Sequence, residues 1–523
     1  MKRLVVAAVI GTLGSTVVHA QTLRWASQGD PQTMDPHSQN ESLTNQMNGQ
    51  VYERLTSLDR QLNIVPGLAS EWQQVSPLVW RFKLRPNVKF HDGSPFTADD
   101  VVYSIQRAQQ KTSQVNNYAV AVGTPRKVDD LTVEFQLAAP NPIFLQHLNG
   151  LWMMSRSWSE KNKVTRPLDF AAKEESFASL HANGTGPYML ASRAPGIRTT
   201  YRRNPAYWGR IEGNVQEIVF TPIANDATRL AALVSGEVDF VLDPSPRDVP
   251  RLKNTPGVKV IEGPENRIVF IGMDQGRDEL LYSNVKGKNP FKDVRVRRAL
   301  YQAIDIETIR SRLMNGQSFP TGGMTPSPKG AYNDPELERR LPYDLAEARK
   351  LMQEAGYPDG FEVQLDCPNN RYINDDAICV ALASMWAQLK VKVKVLAQPR
   401  VTYFPKMQKY DLSMYMLGWG GDVTDAETTL TPVMRNPGEN GIGSWNWGRS
   451  RNDKFDALAA QSSVEADPKK RELLVKSALR EWKEQVHTIP LHRQVIPWAA
   501  RSNVNVVHRA DNWLEVQWVT VGK

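Results

Sequence analysis

Phe361-Glu362-Val363-Gln364-Leu365-Asp366, then Val391-Lys392-Val393-Lys394-Val395-Leu396-Ala397, then Asp411-Leu412-Ser413-Met414-Tyr415-Met416-Leu417, running on into Gly418-Trp419-Gly420-Gly421-Asp422, are the lines of this sequence that decide its fold. Each run is short and rich in residues that favour strands. Between the first two lie a polar loop, Cys367 to Asn374, and a segment from Asp375 to Leu389 long and apolar enough for a helix. Strand, helix, strand is a βαβ unit, which implies parallel strands and a right-handed crossover. A shorter helix near Thr402 to Lys409, interrupted by Pro405, leads to the third strand. Upstream, a helix from Tyr343 to Ala355 stops at Gly356 with Pro358 just beyond, as helix ends commonly do. If strands 361–366 and 411–417 run parallel, the loops that follow them open on one edge of one sheet. Ligands of open α/β sheets bind outside the carboxyl ends of strands.

That edge collects the candidate site residues. The loop after the first strand carries Arg371, whose guanidinium suits a bidentate carboxylate but serves equally as a solvated loop residue. After the last strand come Trp419, a flat wall, Gly420 and Gly421, small enough for a ligand to approach the backbone, and Asp422. A buried carboxylate at 422 needs a cationic partner. A ligand ammonium is one such partner; a protein arginine, or a helix N-terminus that the aspartate caps, is the alternative. Trp445, Asn446 and Trp447, within Gly443-Ser444-Trp445-Asn446-Trp447-Gly448, either line a pocket or pack as a strand does. Cys367 and Cys379, the two cysteines of the chain, would close a loop around Arg371 as a disulfide if the protein reaches an oxidising compartment. Two separate thiols are the alternative.

Outward from this region, Trp80, Phe82 and Leu84 alternate with Arg81 and Lys83, and Leu131, Val133, Phe135 and Leu137 alternate in the same way. Half-buried strands read so. Thr97-Ala98-Asp99-Asp100 between them looks like a capping box, with Val101, Val102, Ile105 and Ala108 as the stripe of the helix it starts. Residues 48–184 are expected to form one α+β unit. From Tyr201 strands and helices alternate: Ile218 to Pro222, Ala227 to Ser235, Val238 to Leu242. At the start, Lys2 and Arg3, the mainly apolar Leu4 to Leu13, and Val18-His19-Ala20 have the layout of an export signal cleaved after Ala20.

The 523 residues hold 64 Lys+Arg and 56 Asp+Glu, a net charge of +8. Without Lys2 and Arg3 the balance is 62 minus 56, or +6, and the basic residues form no stripe that would track phosphates. Nucleic acid is not expected as a partner. No Gly-x-Ser-x-Gly elbow, phosphate loop or His-Glu-x-x-His pair is present, and the histidines are scattered. No catalytic residue, no metal site and no cofactor is therefore expected. A glycosidase with two distant carboxylates remains the rival from another class, kept in view by 14 tryptophans.

Trp80-Arg81-Phe82-Lys83-Leu84-Arg85 followed by Val88-Lys89-Phe90-His91-Asp92-Gly93-Ser94-Pro95-Phe96-Thr97-Ala98-Asp99-Asp100-Val101 resembles the family-five extracellular solute-binding proteins, the dipeptide and oligopeptide receptors of ABC importers. The resemblance continues through Gly184-Thr185-Gly186-Pro187-Tyr188, Asn204-Pro205-Ala206-Tyr207-Trp208-Gly209, Gly236-Glu237-Val238-Asp239, Val296-Arg297-Arg298-Ala299-Leu300 and Glu354-Ala355-Gly356-Tyr357-Pro358-Asp359-Gly360-Phe361. It implies an α/β, bilobed periplasmic binding protein fold of the class II type, cluster C. One lobe would comprise 21–47, 185–268 and 490–523, the other 269–489, with an inserted α+β domain at 48–184. It also implies a monomer in the periplasm that delivers a short peptide or similar amine-bearing solute to an ABC permease with cytoplasmic ATPases. In the family's dipeptide receptors the aspartate of the Gly-Trp-x-Gly-Asp loop, matched by Asp422, holds the peptide ammonium, and an arginine near the position of Arg371 takes its carboxylate. Segment 272–289, the cysteine pair and the loop Gly441 to Gly448 depart from the dipeptide receptors. They leave a metal chelate or a sugar as alternative cargo.

Overall fold

The computed structural model describes residues 21–170, 172–327, 334–420 and 425–522. The expected export signal, Gly421 and Asp422 lie outside the described residues.

The backbone of the molecule is an 11-stranded sheet. Its order from one edge is Lys392–Gln398, Glu362–Pro368, Met414–Gly420, Val258–Met273, Thr488–Arg501, Phe240–Leu242, Thr22–Ser27, Glu217–Pro222, Arg198–Arg203 and Tyr188–Ala194, with Ser318–Pro320 added on Thr488–Arg501. Strand Glu362–Pro368 pairs parallel with both Lys392–Gln398 and Met414–Gly420, as the βαβ reading requires. The crossover helix runs Asp375–Trp386. The preceding helix, Leu345–Glu354, gives way to Gly356 at φ 86°, a conformation glycine adopts without strain. The third strand begins three residues later than the sequence pattern suggests. Asp411 is still part of the turn leaving helix Arg400–Gln408, its amide donating to the carbonyl of Lys406 at 3.2 Å.

Two long strands, Val258–Met273 and Thr488–Arg501, run antiparallel through the middle and are shared between separate cores. Ile268, Val269, Phe270, Ile271 and Met273 are buried with Ile489 and Leu491 among the second lobe's side chains, on the two faces of the sheet. Ile496, Trp498, Ala499 and Ala500 pack instead with Leu23, Trp25, Ala26, Phe220 and Phe240 of the first lobe. The division of the cores therefore falls at about residues 262–267 on one strand and 492–495 on the other. The pairing register breaks at the same place, where Pro264 faces Val495 and Ile268 already faces Arg493. Glu265, Asn266 and Arg267 stand opposite the single residue Gln494. A bulge of this kind bends the strand and re-aims its side chains.

A second, four-stranded sheet, Ala69–Ser76, Val79–Leu84, Thr132–Gln136 and Thr124–Asp129, has its own core of Phe82, Leu84, Phe90, Phe96, Val101, Ile105, Val133 and Phe135. The helix Ala98–Ala108 packs there on the expected stripe, and the Thr97 amide donates to the Asp100 carboxylate at 3.0 Å in a capping box. Segment 272–289 leaves the end of strand Val258–Met273 as a loop over 274–289 whose charges pair locally, Lys286 with Glu279, and Asp278 with Lys292 just beyond it. Its Ser283 bridges to Val363 at the start of a sheet strand.

Candidate ligand site between the lobes

The site starts from a helix cap. Glu41 precedes helix Ser42–Asn48 and its carboxylate accepts from the amides of Leu43 at 3.2 Å and Thr44 at 3.0 Å. Shorter side chains usually cap helices. The longer glutamate also reaches across the cleft, where Oε1 lies 2.9 Å from Nη1 of Arg400 and 2.9 Å from Nε of Arg371, both in the second lobe. The Arg371 contact is electrostatic, since its Nε–H does not point at the oxygen. Burial alone would push the Glu41 carboxyl up, but Arg400, Arg371 and the two amides outweigh it and hold it at about 2.

Arg371 is presented by the loop after strand Glu362–Pro368. The Asp375 carboxylate fastens that loop by accepting from the amides of Arg371 and Tyr372, each at 2.9 Å. Burial lifts the Asp375 carboxyl to about 6, with the amides of Tyr372 and Arg371 acting in the other direction. Cys367 and Cys379 are bonded, closing the loop on its helix, and no free cysteine occurs among the described residues. The Arg371 guanidinium lies 4.8 Å from the Tyr372 ring centroid, and its two terminal nitrogens make no hydrogen bond among the described residues.

A cavity of about 70 Å³ lies here, several times what one water needs. Glu41, Arg371, Tyr372, Trp419, Gly420 and Trp445 line it, joined by Arg267 from the bulge and by Arg54, Trp152 and Trp513 from the first-lobe side. The Arg54 guanidinium sits 4.0 Å from the ring centroid of Trp152 and 4.8 Å from that of Trp513, and the two indoles stack 6.0 Å apart. Trp419 donates its indole N–H to the Thr428 carbonyl at 2.8 Å and leans on Trp445, with ring centroids 5.2 Å apart.

Gly420 lines the cavity, and protein also occupies the space beside it and beside Gly418. A Cβ on Gly418 would lie 2.5 Å from the Tyr372 ring, and one on Gly420 would lie 1.8 Å from the Asn266 carbonyl oxygen. Asn446 does not line the cavity. Its amide nitrogen donates to the carbonyls of Arg435 and Ser450, each at 3.0 Å, and its oxygen accepts from the Ser450 amide, so the side chain fastens its own loop. Trp447 is likewise fully buried in the second lobe's core.

The sequence reading missed Glu41, Arg400, Arg267, Arg54, Trp152 and Trp513. Two of these carried a signal. Arg400 is the first residue of helix Arg400–Gln408, where the helix dipole disfavours a cation, so an anionic partner elsewhere was called for. Arg267 stands next to the apolar run from Ile268 to Met273, where a lone charge needs a reason. A further cross-cleft contact, His147 Nε2 to Glu427 Oε2 at 2.7 Å, joins the inserted unit to the segment after the Trp419 strand.

Residues 63–441 match the model of the bacterial extracellular solute-binding proteins, family 5, middle region. The chain belongs to this family. Its relatives include heme-binding protein A of Haemophilus influenzae, 29% identical over 85% of this chain and 82% of that one. Another is the dipeptide-binding protein of Escherichia coli, 28% identical over 78% of each. The fold is that of a dipeptide-binding protein from Pseudoalteromonas sp. SM9913 solved with Met-Leu, at a TM-score of 0.85 and 21% identity, over 96% of this chain and all of that one. As a member of family 5 the chain is a solute-binding protein of bilobed α/β architecture.

Proposed function

We propose that this protein is a periplasmic receptor that captures a short peptide, or a related amine-bearing solute, between its lobes and delivers it to an ABC permease driven by cytoplasmic ATPases. It acts as a monomer and catalyses nothing. The export signal is removed after Ala20. Lobes of residues 21–47, 185–268 and 490–523, and of 269–489, swing about the two long strands, with 48–184 as an insert on the first. The observation that carries the reading is the Arg371 guanidinium, which lines the cavity at the cleft and whose terminal nitrogens make no hydrogen bond among the described residues. A guanidinium so left is a receptor for a carboxylate. Trp419 and Trp445 supply apolar walls, and Asp422, which follows the Trp419 strand, receives the ammonium.

Calorimetric titration of purified protein with Ala-Ala and N-acetyl-Ala-Ala tests it. Asp422→Ala is expected to weaken Ala-Ala by about 30-fold or more, the scale of losing one buried charge contact, and to leave the acetylated peptide nearly unchanged. Equal loss for both defeats the Asp422 assignment. Mass spectrometry of ligand released from freshly purified protein tests the peptide class itself: an oligosaccharide or a metal complex overturns it.

A further inference from the structure

The bulge at the lobe crossing holds a feature that peptide-terminus recognition leaves unused. Arg267 is 2% exposed and lines the cavity. Its Nε donates to Glu265 at 2.7 Å, and Glu265 is itself held by the Gln494 amide at 2.5 Å. The Arg267 Nη2 is buried and has no hydrogen-bond partner among the described residues. A charged donor left buried and unbonded forfeits its hydration without replacement. The cost falls beside a run of strand where any apolar residue would be buried without it.

A buried guanidinium nitrogen left open calls for an acceptor, and an anionic one is the strongest. Among the described residues Arg267 pairs with Glu265, and Arg371 and Arg400 share Glu41. Asp243 and Asp375, both held near 6 by burial, are engaged elsewhere, Asp243 by the Asn512 amide and Asp375 by the amides of Arg371 and Tyr372. The open Arg267 nitrogen is a second, separate position on the same cavity.

We propose that Arg267 is a second anion-binding residue and that the ligand is an acidic peptide, carrying a carboxylate beyond the one that Arg371 takes. This rests on the peptide-receptor reading above. Register places Arg267 opposite Gly420, and both line the cavity that Arg371 also lines, so Arg267 meets the same ligand space.

The test is calorimetric titration with Ala-Glu, Glu-Ala, Ala-Gln and Gln-Ala. One acidic isomer is expected to bind at least tenfold tighter than its amide twin, and Arg267→Met is expected to erase that ratio while retaining the amide peptide. Arg267→Met leaves Glu265 unpaired, so the double variant Arg267→Met with Glu265→Gln repeats the measurement without a buried lone charge. If Glu and Gln peptides bind the wild-type protein equally, the inference falls and the peptide reading stands. If none of the four binds, the peptide reading falls and takes the inference with it.

Discussion

Two buried clusters of carboxylate and guanidinium in this molecule stand in opposite states of completion. Asp35 and Arg107, both 0% exposed, pair at 2.6 Å where the first lobe meets the insert. Every guanidinium N–H of Arg107 is used: Nε on the Val164 carbonyl, Nη1 on Asp35 and on Nδ1 of His37, Nη2 on Asp35 and on the Arg166 carbonyl. His37, kept neutral at about 4 by burial and by Arg107, passes its Nε2–H to the Trp152 carbonyl. At the cleft, Glu41 serves Arg371 and Arg400 while nitrogens of Arg371 and Arg267 remain without a partner among the described residues. Both clusters cost desolvation. The first recovers it within the folded chain, whereas the second leaves part of it to be recovered by something that enters the cleft.

The contrast is broken most directly at Arg107. Arg107→Met strands Asp35 in a dry site and is expected to lower the unfolding free energy by about 3–5 kcal/mol, read from urea denaturation. Arg371→Gln is expected to behave in the opposite way. Glu41 keeps Arg400 and two amides, so stability should change by less than about 1 kcal/mol, while affinity for free-carboxylate dipeptides falls by about 2–3 kcal/mol, roughly 30- to 150-fold. If Arg371→Gln unfolds the protein as readily as Arg107→Met does, the cleft cluster is structural and the distinction fails.

What the sequence conveyed and what it withheld follow the same line. Parallel strands 361–366 and 411–417, the helix between them, the Thr97 cap and the Gly356 stop were legible because each is written within a few residues of itself, in period, cap or breaker. The edge that brings Arg371 and Trp419 to one cavity followed from topology alone. Glu41 was not legible, because its partners lie more than 300 positions away and nothing local distinguishes a cap that also bridges a cleft. The bulge at 265–267 was hidden for a related reason: an alternating strand pattern does not reveal that three residues will face one. A small residue makes room equally for a ligand and for a neighbouring strand, so the crowding of Gly418 by Tyr372 and of Gly420 by Asn266 was not legible either.

The smallest of these effects separates the clusters by acid. Glu41 has its folded pKa lowered from 4.5 to about 2. A depressed carboxyl gives stability that is fully present above its unfolded value and is lost as pH falls from about 4.5 toward 2. For that window the loss reaches roughly 1–2 kcal/mol by pH 3.5. Glu41→Gln removes the titrating group, so the wild-type advantage over this variant should be constant above about pH 5.5 and shrink by that amount at pH 3.5, in urea unfolding at each pH. Glu53 supplies the control of opposite sign. It is equally buried but hydrogen-bonds neutral donors, Thr185 at 2.7 Å, Trp208 at 2.8 Å and Tyr207 at 2.9 Å, and burial raises its pKa to about 7 against their pull and that of Arg85. Its folded form holds the proton longer than the unfolded chain does, so its contribution weakens as pH rises from about 4.5 to 7, and Glu53→Gln should flatten that decline without touching the acid limb. An acid limb that survives Glu41→Gln unchanged would mean that Arg371 and Arg400 are not held by this carboxylate in solution, and the cleft would then be poised by some other anion.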